Sequence, residues 1–574
     1  MILQKITLSN SEYSEMYVRG GVYKDGSLFI PEGEVASFDT YFNCFSHSLY
    51  KKYTSVDEIE FLCQINGKAS VQLCTYDGEK EEAVASIEVE DGEGSICVKL
   101  DSLSDGSILY PVVTALSDAT FVSGEYSYRA SAQNEINCAA VICTYKREDS
   151  VKRNLEILSN CELSHIKKVF VIDNGQTLEK SELENDFVSI LPNKNYGGTG
   201  GFTRGMIEAY EGEYSHVLLM DDDIVIYPEA LERITAFASY LRPEYKNAHF
   251  STAMLPLSKL YSQHEKGARW NGRKIESFKQ GLDVRKRDSL IENLKEDKVE
   301  YGAWWGFFMP LSNVDEFGLP LPFFIKFDDV EYGTRCSKNV PIITMNGVCV
   351  AHEDFDRKYS AHLDYYSLRN QLIMLACHKK QTRLGCFIRL AKISAKEMFL
   401  YRYETMELVL RAYNDFLKGA DFLAKTDEEK LNKEIMSMVP SAQQLKDIPE
   451  WRDEMRDEYF HKKRSLFSKA TQVLSLGGHL FPRFMLKSKV AAFPLPDAKV
   501  GSSYLRKTTI QYQLGQDTGY VYKRSVKSFI KYFFKCIAMS FKILFRYGKA
   551  KKSYLKSKDY LTSLDFWKSH LEIE

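Results

Sequence analysis

From residue 137 the chain repeats one plan, and that plan limits the folds open to it. "NCAAVICTYKRED", "HIKKVFVIDNGQ", "FVSILPNKNYGGTGG" and "YSHVLLMDDDIVI" each run from an apolar stretch into a polar or glycine-rich cluster. Helix-like stretches such as "SVKRNLEILSN" lie between them. Continuous apolar strands alternating with helices imply a parallel α/β sheet buried on both faces. In such sheets ligands bind beyond the carboxyl ends of the strands. Every suggestive cluster in this stretch falls at such an end.

The flanks read differently. Residues 1–135 hold short β-branched and aromatic stretches punctuated by DG, NG and GEG at hairpin spacing, which predicts an antiparallel β-sandwich. Nothing in it looks catalytic; a structural or carbohydrate-binding accessory role fits. Residues 381–574 are helical in pattern, as in "LAKISAKEMFLYRYETMELVLRAYNDFLKGADFLA". A chain of 574 residues is too long for one core. The expected organisation is therefore multi-domain α/β: a β-sandwich over 1–135, a Rossmann-like domain over 136–380 and a helical domain over 381–574.

Charge and cysteines narrow the setting. A formal net charge of −2 gives no bulk attraction for polyanions, so nucleic acid is not an expected partner. The 12 cysteines form no CxxC and no zinc-finger spacing, which fits free thiols in a reducing compartment. No apolar leader is apparent, and no apolar run reaches the roughly 20 residues needed to span a bilayer. The tail over 523–558 carries many Lys and Arg and no acid. Phe529, Ile530, Phe533, Phe534, Ile537, Phe541, Leu544 and Phe545 recur there at helical spacing. A basic amphipathic helix of this kind suits an anionic membrane surface, although its apolar face could instead pack on the protein. The expected location is cytoplasmic, peripheral on the inner face of the cell membrane. Oligomeric state is left open, self-association included.

The chemistry is carried by carboxylates. Asp221 and Asp223 flank Asp222, and in extended chain an i, i+2 pair points the same way. Two hard oxygen donors suit Mg²⁺ or Mn²⁺. A lone DxD is also found at polar strand ends and helix caps, so the neighbouring clusters decide. Thr144 and Arg147 of "TYKR" and Asp173 of "DNG" end two earlier strands and can face a base and ribose. "NKNYGGTGGFTRG" supplies Asn195, the glycines Gly197, Gly198, Gly200 and Gly201, which allow close backbone approach to a ligand, and Arg204 for a diphosphate. The order is not that of a dinucleotide fingerprint. Trp304 and Trp305 lie among small residues in "EYGAWWGFFMP". "FDDVEYG" then adds Asp328, Asp329 and Glu331. A second acid, apart from the metal, is what sugar transfer needs, because an acceptor hydroxyl must lose its proton as it attacks. His352, after another apolar strand, can complete a metal shell.

Together "TYKR", "DNG", "NYGGTGGFTRG", "MDDD", "AWWGFF", "FIKFDDVEYG", "AHEDF" and "YYSLRNQL" run in order over about 137–375. The set resembles family 2 inverting glycosyltransferases with a GT-A fold, and within them the galactofuranosyltransferases that polymerise cell-wall galactan. Those enzymes also carry an N-terminal β-sandwich and a basic, membrane-associating C-terminal region. The resemblance implies Mn²⁺ or Mg²⁺ on Asp221, Asp223 and His352, with Asp329 as general base. It implies a donor site of Thr144, Arg147, Asp173, Asn195, Gly198, Arg204, Asp221 and Asp222. Trp304, Trp305, Asp328 and Glu331 would face sugar and acceptor. Arg369, with Tyr365 and Asn370 in "YYSLRNQL", would serve either the diphosphate or packing. The implied reaction is inverting transfer of galactofuranose from UDP-galactofuranose to a glycan, lipid-linked by expectation. dTDP-rhamnose or UDP-galactopyranose as donor, or a non-catalytic carbohydrate-binding scaffold, are the alternatives.

Overall fold

The computed structural model describes residues 1–161, 165–354, 360–378, 381–456, 465–495 and 498–573. Phe355, the last residue of "AHEDF", lies outside them. The chain forms two compact units, Met1–Pro320 with Asp329–Glu353, and Leu321–Asp328 with Asp354–Glu574.

The first unit begins with β1 (Ile2–Lys5), β2 (Val22–Lys24), β3 (Ser27–Ile30), β4 (Val35–Ser37), α1 (His47–Tyr53), β5 (Glu58–Tyr76), β6 (Glu81–Lys99), β7 (Ile108–Ala115) and β8 (Ala119–Ser127). The strands are antiparallel, as their hairpin signals imply. All eight share one hydrogen-bonded sheet, ordered β2-β3-β8-β5-β7-β4 with β1 on β8 and β6 on β5. Along one edge β5 pairs first with β8 and then with β7. The change falls at Gly67, whose φ is +87° and whose missing Cβ would lie 2.3 Å from the Asp118 carbonyl oxygen. Phe38, just past β4, meets Phe121 of β8 with ring centres 5.0 Å apart, so the two halves of the bent sheet share a core. The expected sandwich is thus drawn from one continuous sheet.

The α/β region follows with β9 (Cys138–Thr144), α2 (Glu148–Asn160), β10 (Ile166–Asp173), α3 (Lys180–Leu183), β11 (Val188–Pro192), α4 (Gly197–Glu211), β12 (His216–Asp221), β13 (Ile224–Ile226), α5 (Pro228–Ser239), β14 (His249–Ser251), β15 (Ala253–Pro256), β16 (Ala268–Trp270), β17 (Ile275–Ser277), α6 (Arg287–Leu294), β18 (Phe307–Pro310), α7 (Ser312–Phe317), α8 (Asp328–Cys336), β19 (Ile342–Ile343) and β20 (Cys349–His352). Its main sheet runs β11-β10-β9-β12-β18-β14-β19. The first four strands are parallel, as the alternation with helices requires, and β18 turns antiparallel to β12 and β14. A second sheet, β13-β20-β15, pairs Ile224 with His352. Arg287 of α6 donates to Glu81 of β6 at 2.6 Å and to the Tyr110 hydroxyl of β7 at 2.7 Å, tying the α/β region to the N-terminal sheet.

The second unit contains α9 (Ala361–Cys377), α10 (Arg383–Phe399), α11 (Thr405–Phe416), α12 (Ala420–Lys425), α13 (Glu428–Ser437), β21 (Gln443–Gln444), α14 (Leu466–Leu474), β22 (Ala491–Pro494), β23 (Thr508–Tyr512), β24 (Thr518–Lys523), α15 (Val526–Leu561) and α16 (Leu564–Leu571). It is helical as expected, and it adds a small sheet, β21-β24-β23-β22, whose strands are too short to break the helical pattern of the sequence. Helices α9 to α12 pack on α15, a helix of 36 residues capped by Ser525, whose side chain accepts from the Ser528 amide. No helix among the described residues is long and apolar enough to cross a membrane. None of the 12 cysteines is in a disulfide, and Cys97 of β6 is the exposed one.

Candidate active site

The acidic run lies where β12 leaves the parallel sheet. Asp221 is the last residue of β12, opposite Cys143 of β9, and Asp222 and Asp223 form the turn into β13. The pairing of β13 with β20 then sets His352 beside Asp223, with Nε2 3.2 Å from Oδ1. One ligand atom from each of Asp221, Asp223 and His352 falls within 4.8 Å of the others. His352 Nδ1 lies 2.6 Å from the Glu353 carbonyl oxygen; as a donor there it turns the Nε2 lone pair toward the carboxylates. Burial lowers the basicity of this ring, but the hydrogen bond and charge of Asp223 outweigh it and the net shift is upward. Two oxygen donors and one imidazole nitrogen fit a small divalent cation.

Asp222 has a separate role. Its carboxylate is buried, accepts from Thr144 Oγ1 at 2.8 Å and from Arg147 Nη1 at 3.1 Å, and its own carbonyl accepts from Asn154 Nδ2 at 3.0 Å. Burial pushes its carboxyl up, against the lowering pull of Arg147 and Thr144. Arg147 also bonds Asp223. Thr144 and Arg147, expected at the nucleoside, therefore hold the acidic turn with their side chains. Asn154 and Arg153, which donates to the Ile224 carbonyl at 2.9 Å, are supports that the motifs did not flag. The available signal was Asn154 itself, a polar residue on the buried face of α2.

Asp173 is also engaged. Its carboxylate accepts from the amides of Gly175, Thr177 and Leu178 at 2.8–3.0 Å and closes the turn after β10. The next residue, Asn174, donates to the Gly197 carbonyl at 2.9 Å and accepts from Asn193 at 2.8 Å, fixing the entry to α4. Asn195 Oδ1 accepts from the Gly197 amide at 3.1 Å.

The glycines of "GGTGGFTRG" divide by task. A Cβ on Gly201 would sit 2.2 Å from Cys143 Sγ, and one on Gly205 2.1 Å from Val141 Cγ1. These two let α4 lie close against β9. Gly198, in the first turn of α4, faces open space and leaves the backbone bare at the positive end of the helix dipole. Arg204 pairs with Glu208 one turn on, Nε to Oε1 2.6 Å.

Trp304 and Trp305 are buried. Trp304 meets Phe202 of α4 edge-on at 5.3 Å and Tyr332 of α8 at 6.2 Å. Trp305 donates Nε1 to the Thr252 carbonyl at 3.3 Å, and its ring centre is 6.3 Å from that of His352. The flanking Gly302 and Gly306 are required by space, since a Cβ on either would lie 2.3–2.5 Å from Ser251 or Thr252.

The second acidic cluster opens α8. Asp328 and Asp329 occupy its first turn, where negative charge opposes the helix dipole favourably. Asp329 Oδ1 accepts from the Val330 amide at 2.7 Å. Glu331 does not face an acceptor. It is 0 % exposed and paired with Arg335 by two bonds of 3.1 and 2.9 Å, and Arg335 continues to the Phe317 and Leu319 carbonyls. Before the cluster, Phe324, Lys326 and Phe327 have φ of +68°, +67° and +69°. Such left-handed conformations cost non-glycine residues on the order of 1–3 kcal/mol each and gather at functional sites.

Residues 137–361 match the family described as "Glycosyltransferase like family 2", and residues 6–128 match "Galactofuranosyltransferase 2 N-terminal". The protein is a glycosyltransferase with a family 2, GT-A catalytic domain. Among curated proteins it is similar to Galactofuranosyltransferase GlfT2 of Mycolicibacterium smegmatis, with 26 % identity over 447 residues covering 72 % of this chain and 68 % of that one. It is equally similar to Galactofuranosyltransferase GlfT2 of Mycobacterium tuberculosis, with 27 % identity over 444 residues covering 71 % and 68 %. Among solved structures, a mannosyltransferase from Pyrobaculum calidifontis in complex with GDP-Man and Mn²⁺ overlaps 43 % of this chain and 64 % of that one. Its identity is 10 % and its TM-score 0.29, too low to bear on this site.

Proposed function

We propose that the protein transfers galactofuranose from UDP-galactofuranose to a glycan acceptor, with inversion, in cell-surface polysaccharide synthesis. The observation that carries this reading is the conjunction of a galactofuranosyltransferase-type N-terminal domain with a family 2 domain that keeps the Asp221, Asp223 and His352 donor set. These three side chains would hold Mn²⁺ or Mg²⁺. When bound, such an ion offsets the charge of the departing diphosphate. Asp329 accepts the proton of the acceptor hydroxyl as its oxygen attacks the anomeric carbon. The bond from that carbon to UDP breaks, and its electron pair leaves with the diphosphate. Attack from the opposite face gives the β-linked product. Gly198, Asn195 and Arg204 are assigned to the diphosphate, and Thr144, Arg147, Asp173 and Asp222 to the framework of the uridine side. Trp304 and Trp305 are assigned to the sugar and acceptor, as is Asp328, the neighbour of Asp329 in the chain.

A panel of UDP-galactofuranose, UDP-galactopyranose and dTDP-rhamnose tests the reading, with nucleotide release and product linkage as readouts. Mn²⁺-dependent UDP release from UDP-galactofuranose and a β-linked product are expected. Preference for another donor would replace the sugar. Absence of metal-dependent release from all three would leave a carbohydrate-binding scaffold.

The acceptor is assigned to a lipid-linked glycan at an anionic membrane. Helix α15 supports this with two apolar faces. Phe529, Tyr532, Ile543, Tyr547 and Tyr554 are buried in their own unit, with Phe529 stacked on His479 at 4.3 Å. Ile530, Phe533, Phe534, Ile537, Phe541, Leu544 and Phe545 are exposed among the basic residues, Phe545 to 77 %. The sequence placed Phe529 with this second group; its ring points inward. Because α15 is also core, the clean test is Phe534→Glu with Phe541→Glu and Phe545→Glu. Flotation with anionic liposomes at low salt should be lost while thermal melting and transfer to a short soluble acceptor persist. Unchanged flotation would remove the membrane assignment.

A further inference from the structure

Arg369 and Asn370 sit side by side on α9, both buried, and they hydrogen-bond to each other and to one loop. Asn370 Nδ2 lies 2.7 Å from the Lys326 carbonyl oxygen, 3.1 Å from that of Ile325 and 3.4 Å from that of Phe323. Arg369 Nη2 donates to the Phe323 carbonyl at 2.8 Å. Arg369 Nε donates to Asn370 Oδ1 at 2.9 Å, which fixes the amide so that its two N–H groups face the loop. The guanidinium itself lies over the Tyr365 and Tyr366 rings, 5.5 and 5.1 Å from their centres. Tyr366 stacks on Phe324 at 5.1 Å, and the Tyr365 hydroxyl donates to Asp415 of α11 at 2.8 Å.

The loop held in this way is "FFIKF", residues 323–327, and it contains no glycine although three of its residues are left-handed. Its covalent continuation is Asp328 and Asp329, the first turn of α8. Bulky residues stay left-handed only where the surroundings over-determine them. Those surroundings include the three carbonyl contacts to Asn370, the fork of Arg369 and the stacked Tyr366. A small rotation anywhere in 323–327 would swing the start of α8 and the carboxylates on it.

We propose that Arg369 and Asn370 are positioning residues: they clamp the left-handed loop 323–327 and thereby set the orientation of the Asp329 carboxylate for proton transfer from the acceptor. The proposal rests on the assignment of Asp329 as the base. Asn370→Ala removes the three-carbonyl contact, and Arg369→Lys keeps the charge but loses the fork. Each should lower kcat for transfer, with Asn370→Ala costing up to about 10²-fold, the scale of a misplacement near 1 Å. Affinity for UDP in Mn²⁺ should be unchanged in both. Added to Asp329→Asn, Asn370→Ala should cost almost nothing more, because groups that act as a unit are non-additive.

Equal losses with and without Asp329, a parallel fall in UDP affinity, or an unchanged kcat would overturn the clamp. Failure of both variants to fold would assign the pair to the fold alone and overturn it as well. If Asp329→Asn by itself leaves transfer intact, the base assignment falls instead, and the two failures are told apart by that single variant.

Discussion

Asp221–Asp222–Asp223 closes a strand, whereas Asp328, Asp329 and Glu331 open a helix, and the two clusters dispose of surplus charge by different routes. In the first, the middle carboxylate is turned inward and met by Thr144 and Arg147 from another strand end. In the second, Glu331 is turned inward and met by Arg335 one turn further along the same helix. In each cluster one acid is spent on the fold, and the outer acids are the ones we propose for chemistry. The strand cluster is assembled by sheet register, which brings His352 beside Asp223 from far along the chain. The helix cluster is aimed by the loop that precedes it.

The largest expected effect is on the strand cluster. Asp221→Asn or Asp223→Asn removes a ligand charge while keeping size, and transfer should be abolished in limiting Mn²⁺ with melting little altered. Undiminished turnover in both variants would dissolve the contrast, since neither outer acid would then be chemical. On the helix cluster, Asp329→Asn should slow transfer by about 10²- to 10⁴-fold, the range of general acid–base groups. UDP affinity, read by calorimetry, should hardly move; a collapse would transfer Asp329 to the donor site and promote Asp328.

The inward-facing acids sharpen the comparison through stability. Glu331→Gln leaves Arg335 buried without its counter-charge and should cost about 3–5 kcal/mol in urea unfolding. Asp222→Asn should cost less, on the order of 1 kcal/mol. Arg147 is 42 % exposed, can resolvate and keeps Asp223 as a partner. Equal costs would mean that the two inward acids are buried alike after all.

The smallest effect is in pH. The His352 ring is raised above its ordinary 6.5 in the metal-free fold. Its protonated pairing with Asp223 therefore contributes stability fully below pH 6.5, and this is lost as pH rises through the raised folded value. Melting in chelator should drop modestly across that window, while Mn²⁺ affinity rises as the competing proton leaves. A melting temperature that climbs with pH in chelator would reverse the sign and separate His352 from Asp223.

Much of this was legible in the sequence. Apolar runs ending in polar clusters located β9 to β12 and the acids at their ends, because burial on both faces leaves a plain compositional mark. His352 was readable for the same reason, although its register with Ile224 was not. The glycine-rich block was read for ligand approach, yet Gly201 and Gly205 answer to Cys143 and Val141. A sequence does not say which atom crowds a glycine. Glu331 looked like one more acid until its pairing with Arg335 showed it sealed. The role of Arg369 and Asn370 was hidden because it depends on backbone torsions in a loop that has no turn residue to announce them. The inward turn of Phe529 was hidden because both faces of α15 are apolar.

Cys97 gives the protein an optical handle. Burial drives other thiols out of reach, with Cys44 pushed up to about 12 and Cys63 and Cys74 to about 11. Only the thiolate attacks a maleimide, so at neutral pH a dye should settle first on Cys97, exposed on β6. The native chain can thus be coloured in the N-terminal sheet without engineering.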